Sequence, residues 1–144
     1  MSQIVLENET NYNVDIKFLE TILHTLSLQE VELIITNNLE IQEINLSTRN
    51  IDKPTDVLSF PYEKMPHVPL GSIVISVDFV EEKAKQYKHT FNDELALLFI
   101  HGLLHLLGFD HEKDNGEHRN KEKEMIKQFN LPSSLIIRTQ EEEK

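Results

Sequence analysis

The chain has 144 residues, a formal net charge of −11 and no cysteine. This length suits one domain with a hydrophobic core, and the lack of cysteine excludes disulfide bonds and cysteine-ligated metal sites. We therefore predict a single domain over residues 1–140 and a disordered acidic tail over 141–144. No apolar run is long enough to span a membrane and no secretory signal is visible, so the sequence predicts a cytoplasmic protein with no membrane partner.

The predicted elements alternate between short strands and amphipathic helices. Strands are predicted at 4–6, 31–36, 57–60 and 71–76, and helices at 15–26, 37–46, 76–88, 94–107 and 117–129. Pro54 and Pro61 make 49–55 a loop that leads into an edge strand at 57–60. The pattern predicts an α+β fold, in which a small mixed sheet of three to four strands packs with about five helices. The helix at 94–107 is apolar nearly all round, so we place it at the centre.

This central helix carries two histidines, His101 and His105, spaced four residues apart. Residues at i and i+4 lie one turn apart on the same helix face, so their imidazoles are close enough to share one ion. Gly108 can end the helix in the left-handed conformation and let the chain return. His111 can then meet the first two rings.

The resulting spacing, H-x-x-x-H-x-x-G-x-x-H, has the register of the zinc motif of metzincin proteases. Gly102 stands where those proteases carry the glutamate that activates water, and we expect it to leave room beside the ion. Three imidazoles favour one zinc ion, with nickel or another divalent metal also possible. Three histidines and an open position are typical of a catalytic site rather than a structural one.

The acidic net charge is unusual for a nucleic-acid-binding protein, whose affinity comes largely from neutralised phosphates. Basic residues are concentrated in two places. Arg49 and Lys53 precede the strand at 57–60, and five more follow the histidines: Lys113, Arg119, Lys121, Lys123 and Lys127. We interpret the second group, together with His118, as the solvated face of a helix.

Three sequence blocks together resemble the YbeY family of bacterial rRNA-maturation factors. They are P-T-D-V-L-S-F-P at 54–61, L-G-S-I-V-I-S at 70–76 and H-G-L-L-H-L-L-G-F-D-H at 101–111. The resemblance implies a zinc-dependent, single-strand-specific metalloendoribonuclease that acts in small-subunit rRNA 3′-end maturation and ribosome quality control. It also implies that His101, His105 and His111 are the metal ligands. Ser72 departs from the family, which commonly has an acidic residue there.

The same resemblance implies that Arg49 lines the active-site cleft, where its guanidinium would bind phosphate and stabilise charge in the transition state. For Asp110 we favour orientation of a ligand histidine over proton transfer. The general base stays open among metal-activated water, Asp110, Glu112 and the RNA 2′-hydroxyl. Phe60, Tyr62 and Phe109 are candidates for stacking with bases, although we favour core positions for them.

The expected partners are single-stranded RNA, the small ribosomal subunit and its assembly proteins, and no DNA is expected. Two other functions stay open. One is a ribosome-assembly factor that the metal merely stabilises. The other is a metal-dependent peptidase or amidohydrolase, which the missing glutamate at position 102 disfavours.

Overall fold

A computed structural model describes residues 3–63, 65, 67–110 and 113–135. His111, Glu112 and the tail predicted at 141–144 therefore lie outside the described residues. The strands are β1 (Ile4–Asn8), β2 (Val31–Thr36), β3 (Val57–Pro61) and β4 (Gly71–Ser76). The helices are α1 (Ile16–His24), α2 (Asn38–Arg49), α3 (Val77–Tyr87), α4 (Phe91–Leu106) and α5 (Glu117–Gln128). The predicted α+β fold is confirmed.

The strands form one mixed sheet in the order β1-β2-β4-β3. β1 pairs with β2 and β2 with β4 in parallel, whereas β3 pairs with β4 in antiparallel fashion. β4 is buried along its whole length because it has a neighbour on each side and helices on both faces. β3 lies at an edge of the sheet, as predicted, so residues at its outer side are available to a cleft.

The main core lies between one face of the sheet and α4. Alternate residues of the inner strands, such as Leu33, Ile35, Ile73 and Ile75, point to this side and are fully buried. α4 begins with a capping box, in which Thr90 accepts from the backbone of Asp93 and Asp93 accepts from the backbone of Thr90. Eleven of its 16 residues are buried. The prediction that this helix is central is therefore confirmed.

The opposite face of the sheet is covered by α2. Ile41 packs there against Leu58 and Val74. The sequence predicted that this helix would fray near 45–47, and this is wrong, because it continues to Arg49. Asn50 closes it in the left-handed conformation, at φ 58°, with its N–H donating to Leu46.

Candidate active site

A cleft of about 360 Å³ lies beside β3 and contains most of the predicted site residues. Its lining residues are Arg49, Asp56, Val57, Leu58, Ser59, Phe60, His101, His105, Asp110 and Arg119. Four predicted site residues, contributed by α2, α4 and the segment after α4, therefore meet in one place. The fifth, His111, is outside the described residues.

α4 positions the two histidines through the close approach of Gly102 to the sheet. A Cβ atom at Gly102 would lie 2.9 Å from Ile73 Cγ2 and 3.0 Å from Ser59 Oγ. Ser59 Oγ also donates to the Gly102 carbonyl oxygen over 3.2 Å. The expectation that Gly102 leaves room beside an ion is wrong, because Ile73 and Ser59 occupy that space. The glycine instead lets the helix lie against β3 and β4.

His101 and His105 flank this contact and lie partly exposed at the cleft wall. Their ring centroids are 5.1 Å apart, as expected for imidazoles one helical turn apart. α4 ends at Leu106, and Gly108 has a φ of 102°, which favours glycine because it has no Cβ. The predicted helix stop is confirmed. Asp110 follows it and lines the cleft.

Arg49 reaches the cleft from α2. It is the last residue of that helix, not a loop residue as the sequence suggested. The loop after it is held by the buried Asn45, whose side-chain amide donates to the Lys53 carbonyl oxygen over 2.9 Å. Arg49 therefore approaches the cleft from a defined helix end.

α5 contributes a polar cluster that the sequence analysis missed. His118, expected to be exposed, has 0% of its surface accessible, and Arg119 has only 8%. The ring of His118 lies 4.6 Å from that of His101 and 4.9 Å from that of His105, measured between centroids. His118 and Glu122 are spaced i and i+4 and continue the inward face of Met125 and Ile126. That periodicity is the signal that could have placed them inside.

Glu122 joins the cluster together. Its Oε1 lies 2.5 Å from His101 Nδ1 and 3.0 Å from His118 Nε2, and its Oε2 lies 3.4 Å from Arg119 Nη1. Burial alone would raise the pKa of Glu122, but hydrogen bonds and charge interactions with the two histidines outweigh it and lower the pKa to about 2. The carboxylate is therefore ionised at neutral pH, although its side chain is 1% exposed.

Metal-ligating side chains meet in two overlapping groups. The predicted ligands His101 and His105 share the cleft, whereas His101, His118 and Glu122 have candidate ligand atoms that all lie within 4.8 Å of one another. Both groups offer the imidazole nitrogen and carboxylate oxygen donors that divalent transition metals accept. His101 belongs to both groups.

Of the three aromatic candidates, one faces the cleft. Phe60 is half-buried in its wall. Phe109 packs against the main core, as the alternative interpretation held. Tyr62 is 38% exposed, and its hydroxyl lies 2.9 Å from Ser72 Oγ on β4. Ser72, which departs from the acidic residue that the resemblance led us to expect, therefore forms a hydrogen bond with Tyr62.

Known proteins resemble this chain along most of its length. The sequence profile of the family described as endoribonuclease YbeY matches residues 3–130. The chain belongs to the YbeY family. It is 64% identical over 137 residues to the endoribonuclease YbeY of Aliarcobacter butzleri, covering 94% of this chain and 98% of that protein. The YbeY protein of Sulfurovum sp. is 60% identical over 141 residues, covering 94% and 96% of the two chains.

A solved structure has a similar fold. The solution structure of TM1509 from Thermotoga maritima matches with a TM-score of 0.60 and 31% identity, over 88% of each chain. The YbeY family consists of endoribonucleases, which are hydrolases of RNA. The predicted class, an endoribonuclease, is therefore confirmed. In the part of the chain that the structure describes, no helix is long and apolar enough to cross a membrane.

Proposed function

We propose that this protein is a zinc-dependent endoribonuclease specific for single-stranded RNA. The observation that carries the proposal is the convergence of His101, His105 and Arg49 in one cleft of a YbeY-family chain. Imidazoles suit a metal and a guanidinium suits a phosphate, so the cleft combines the two chemistries that phosphodiester hydrolysis requires.

His101, His105 and His111 are the proposed ligands of one divalent ion, which we propose is zinc, although imidazole nitrogens also accept nickel and other divalent metals. The residues present fit such an ion, because His101 donates through Nδ1 to Glu122 and so leaves Nε2 as its metal-binding nitrogen. When bound, the ion would supply Lewis acidity and lower the pKa of water.

The remaining residues act on the RNA. Arg49 binds the phosphate oxygens through its planar fork and stabilises the negative charge that grows on them during cleavage. Asp110 lines the same cleft, and we propose that it orients a ligand histidine rather than transferring a proton. Phe60 offers the cleft an apolar wall against which an unstacked base can pack.

The packing of Gly102 also bears on the competing peptidase function. A glutamate at position 102, as in metzincin proteases, would have to displace Ile73 and Ser59. The close packing of α4 on β3 and β4 therefore leaves no space at position 102 for the glutamate that acts as the base in those proteases. This favours phosphodiester over peptide chemistry.

We further propose that the biological substrate is the 3′ end of precursor small-subunit rRNA, in the cytoplasm, and that the protein contributes to ribosome quality control together with assembly proteins. Family membership supports this assignment, since the curated relatives are endoribonucleases. An acidic protein with few basic residues at its cleft suits a substrate that is delivered by a larger assembly.

The experiment is cleavage of a labelled RNA spanning the small-subunit 3′ end, alone and annealed to its complement. We expect the single strand to be cut, the duplex to survive, chelation to stop cleavage and zinc to restore it. Equal cleavage of both forms, or cleavage that chelation leaves unchanged, would contradict the proposal. Ribosome association without any cleavage would instead support the assembly-factor alternative.

A further inference from the structure

Glu122 of α5 is not one of the residues that the sequence assigned to the site, yet its side chain is only 1% exposed and lies 2.5 Å from Nδ1 of His101, a proposed metal ligand. We propose that Glu122 is a positioning residue that fixes the ring orientation and tautomer of His101 for metal binding. The inference rests on the proposed metal role of His101. It adds an element, α5, to a site that the sequence assigned to α4 and the following turn.

The direction of the hydrogen bond between His101 and Glu122 supports this role. A glutamate carboxylate offers only acceptor oxygens, so a 2.5 Å hydrogen bond to Glu122 selects the tautomer of His101 that carries its proton on Nδ1. The lone pair of the neutral ring is then on Nε2. Carboxylate–histidine pairs of this kind select one tautomer and increase the basicity of the nitrogen that binds the ion.

Burial of the Glu122 side chain costs desolvation free energy that a purely structural position does not require. Glu122 lies between Arg119 and the two histidines, on the same face as Met125 and Ile126. An apolar residue of similar size would pack on this face without the desolvation penalty of a carboxylate. His101 Nδ1 and Arg119 Nη1 hydrogen-bond the two oxygens of Glu122, and His118 Nε2 lies 3.0 Å from Oε1, so the position of Glu122 is well defined. Its negative charge lies beside His101, which would share the positive charge of a bound cation.

The distance between His101 and Glu122 favours positioning over direct ligation of a metal by this pair. Metal–nitrogen and metal–oxygen bonds of about 2.0–2.2 Å at a tetrahedral angle put two ligand atoms roughly 3.3 Å apart. His101 Nδ1 and Glu122 Oε1 are only 2.5 Å apart, which suits a shared proton and leaves no space for an ion between them. Direct binding by this pair would require the two side chains to separate.

The test compares Glu122→Gln with Glu124→Gln in the full chain. Glu124 lies on the same helix, but its side chain is 63% exposed and pairs with Lys121, so it is a matched control. Zinc affinity is measured by competition with a chromophoric chelator. We expect Glu122→Gln to bind zinc about 10- to 100-fold more weakly and Glu124→Gln to match the wild type. Urea unfolding of the metal-free proteins shows that both variants are folded.

A second readout reports the tautomer directly. In metal-free wild type, two-bond ¹H–¹⁵N correlation spectra should show His101 protonated at Nδ1, and Glu122→Gln should populate the Nε2-protonated form. Unchanged zinc affinity with an unchanged tautomer would overturn the inference. X-ray absorption of the zinc-loaded wild type that shows a carboxylate oxygen lost in Glu122→Gln would also overturn it, because Glu122 would then be a ligand.

A third variant separates this inference from the proposed function. If His101→Ala binds zinc as tightly as the wild type, the proposed metal role of His101 fails, and the inference fails with it. If His101→Ala loses zinc while Glu122→Gln retains full affinity and an Nδ1-protonated His101, only the positioning role is overturned. The two failures are therefore distinguishable without an activity measurement.

Discussion

Arg49 is the residue through which the proposed chemistry can be tested without disturbing the metal. Arg49→Ala should lower the turnover of single-stranded RNA by about 10²- to 10³-fold, because it removes a preorganised cation from the developing phosphate charge. Zinc content should stay at the wild-type value. Lys53→Ala, in the exposed loop that follows, is the control and should retain activity. Equal loss of zinc and activity in Arg49→Ala would show that the residue is structural.

Glu122 gives a pH dependence that can be measured in the folding equilibrium. Its folded pKa of about 2 lies below the ordinary 4.5, so its stabilising contribution is full above pH 4.5 and is lost as the pH falls towards 2. The stability difference between wild type and Glu122→Gln should therefore shrink by roughly 1 kcal/mol per pH unit below 4.5. Urea unfolding of the metal-free proteins between pH 7 and pH 3 measures it. A difference that is constant over this range would contradict the pKa shift.

At the residue scale, spacing and motif predicted which residues come together, and their chemical roles stay predictions. His101, His105, Arg49 and Asp110 were expected in one site, and they line one cleft. The prediction that His118 is exposed was wrong, because every polar residue of the charge-rich helix α5 was assumed to face solvent. The burial of polar side chains on α5 depends on donors and acceptors that α4 supplies, and this pairing is not visible in α5 alone.

At the scale of elements, the contact of α4 with the sheet depends on one missing side chain. Gly102→Ala should destabilise the protein by about 1–3 kcal/mol, because the new Cβ overlaps Ile73 and Ser59. In an open helix the same change would stabilise by up to about 1 kcal/mol through helix propensity. Whether Gly102→Ala lowers or raises the free energy of unfolding therefore shows whether α4 packs closely on the sheet at this position. A higher melting temperature for Gly102→Ala would mean that α4 does not pack as closely as described.

The elements themselves were largely predictable because their apolar periodicity is regular. Strand positions, the order of elements and the edge position of β3 agree with the sequence analysis. The end of α2 was predicted too early, since Asn45, Ser47 and Thr48 are weak helix formers by propensity. In the structure, Ser47 and Thr48 hydroxyls donate to the Ile44 carbonyl oxygen, and the Asn45 side chain bonds the next loop, so these residues support the helix end.

At the scale of the whole molecule, the net charge of −11 limits how RNA can be bound. The cleft presents two cations, Arg49 and Arg119, alongside Asp56 and Asp110. If two phosphates are neutralised, the slope of log affinity against log salt should be about −1.4 for a single strand. Fluorescence anisotropy with His105→Ala, which prevents cleavage, measures the slope between 50 and 200 mM salt. A slope steeper than about −4 would require a wide basic surface elsewhere.

The most direct test of the central claim, that the cleft histidines hold an ion needed for RNA cleavage, is elemental analysis of the purified protein paired with the single-strand cleavage assay. His24 is an exposed histidine at the end of α1, so His24→Ala is the control. Wild type and His24→Ala should each contain one equivalent of metal and cleave RNA. His105→Ala should lose both. A His105→Ala protein that retains the metal, or a metal-loaded wild type that cleaves no RNA, would contradict this account.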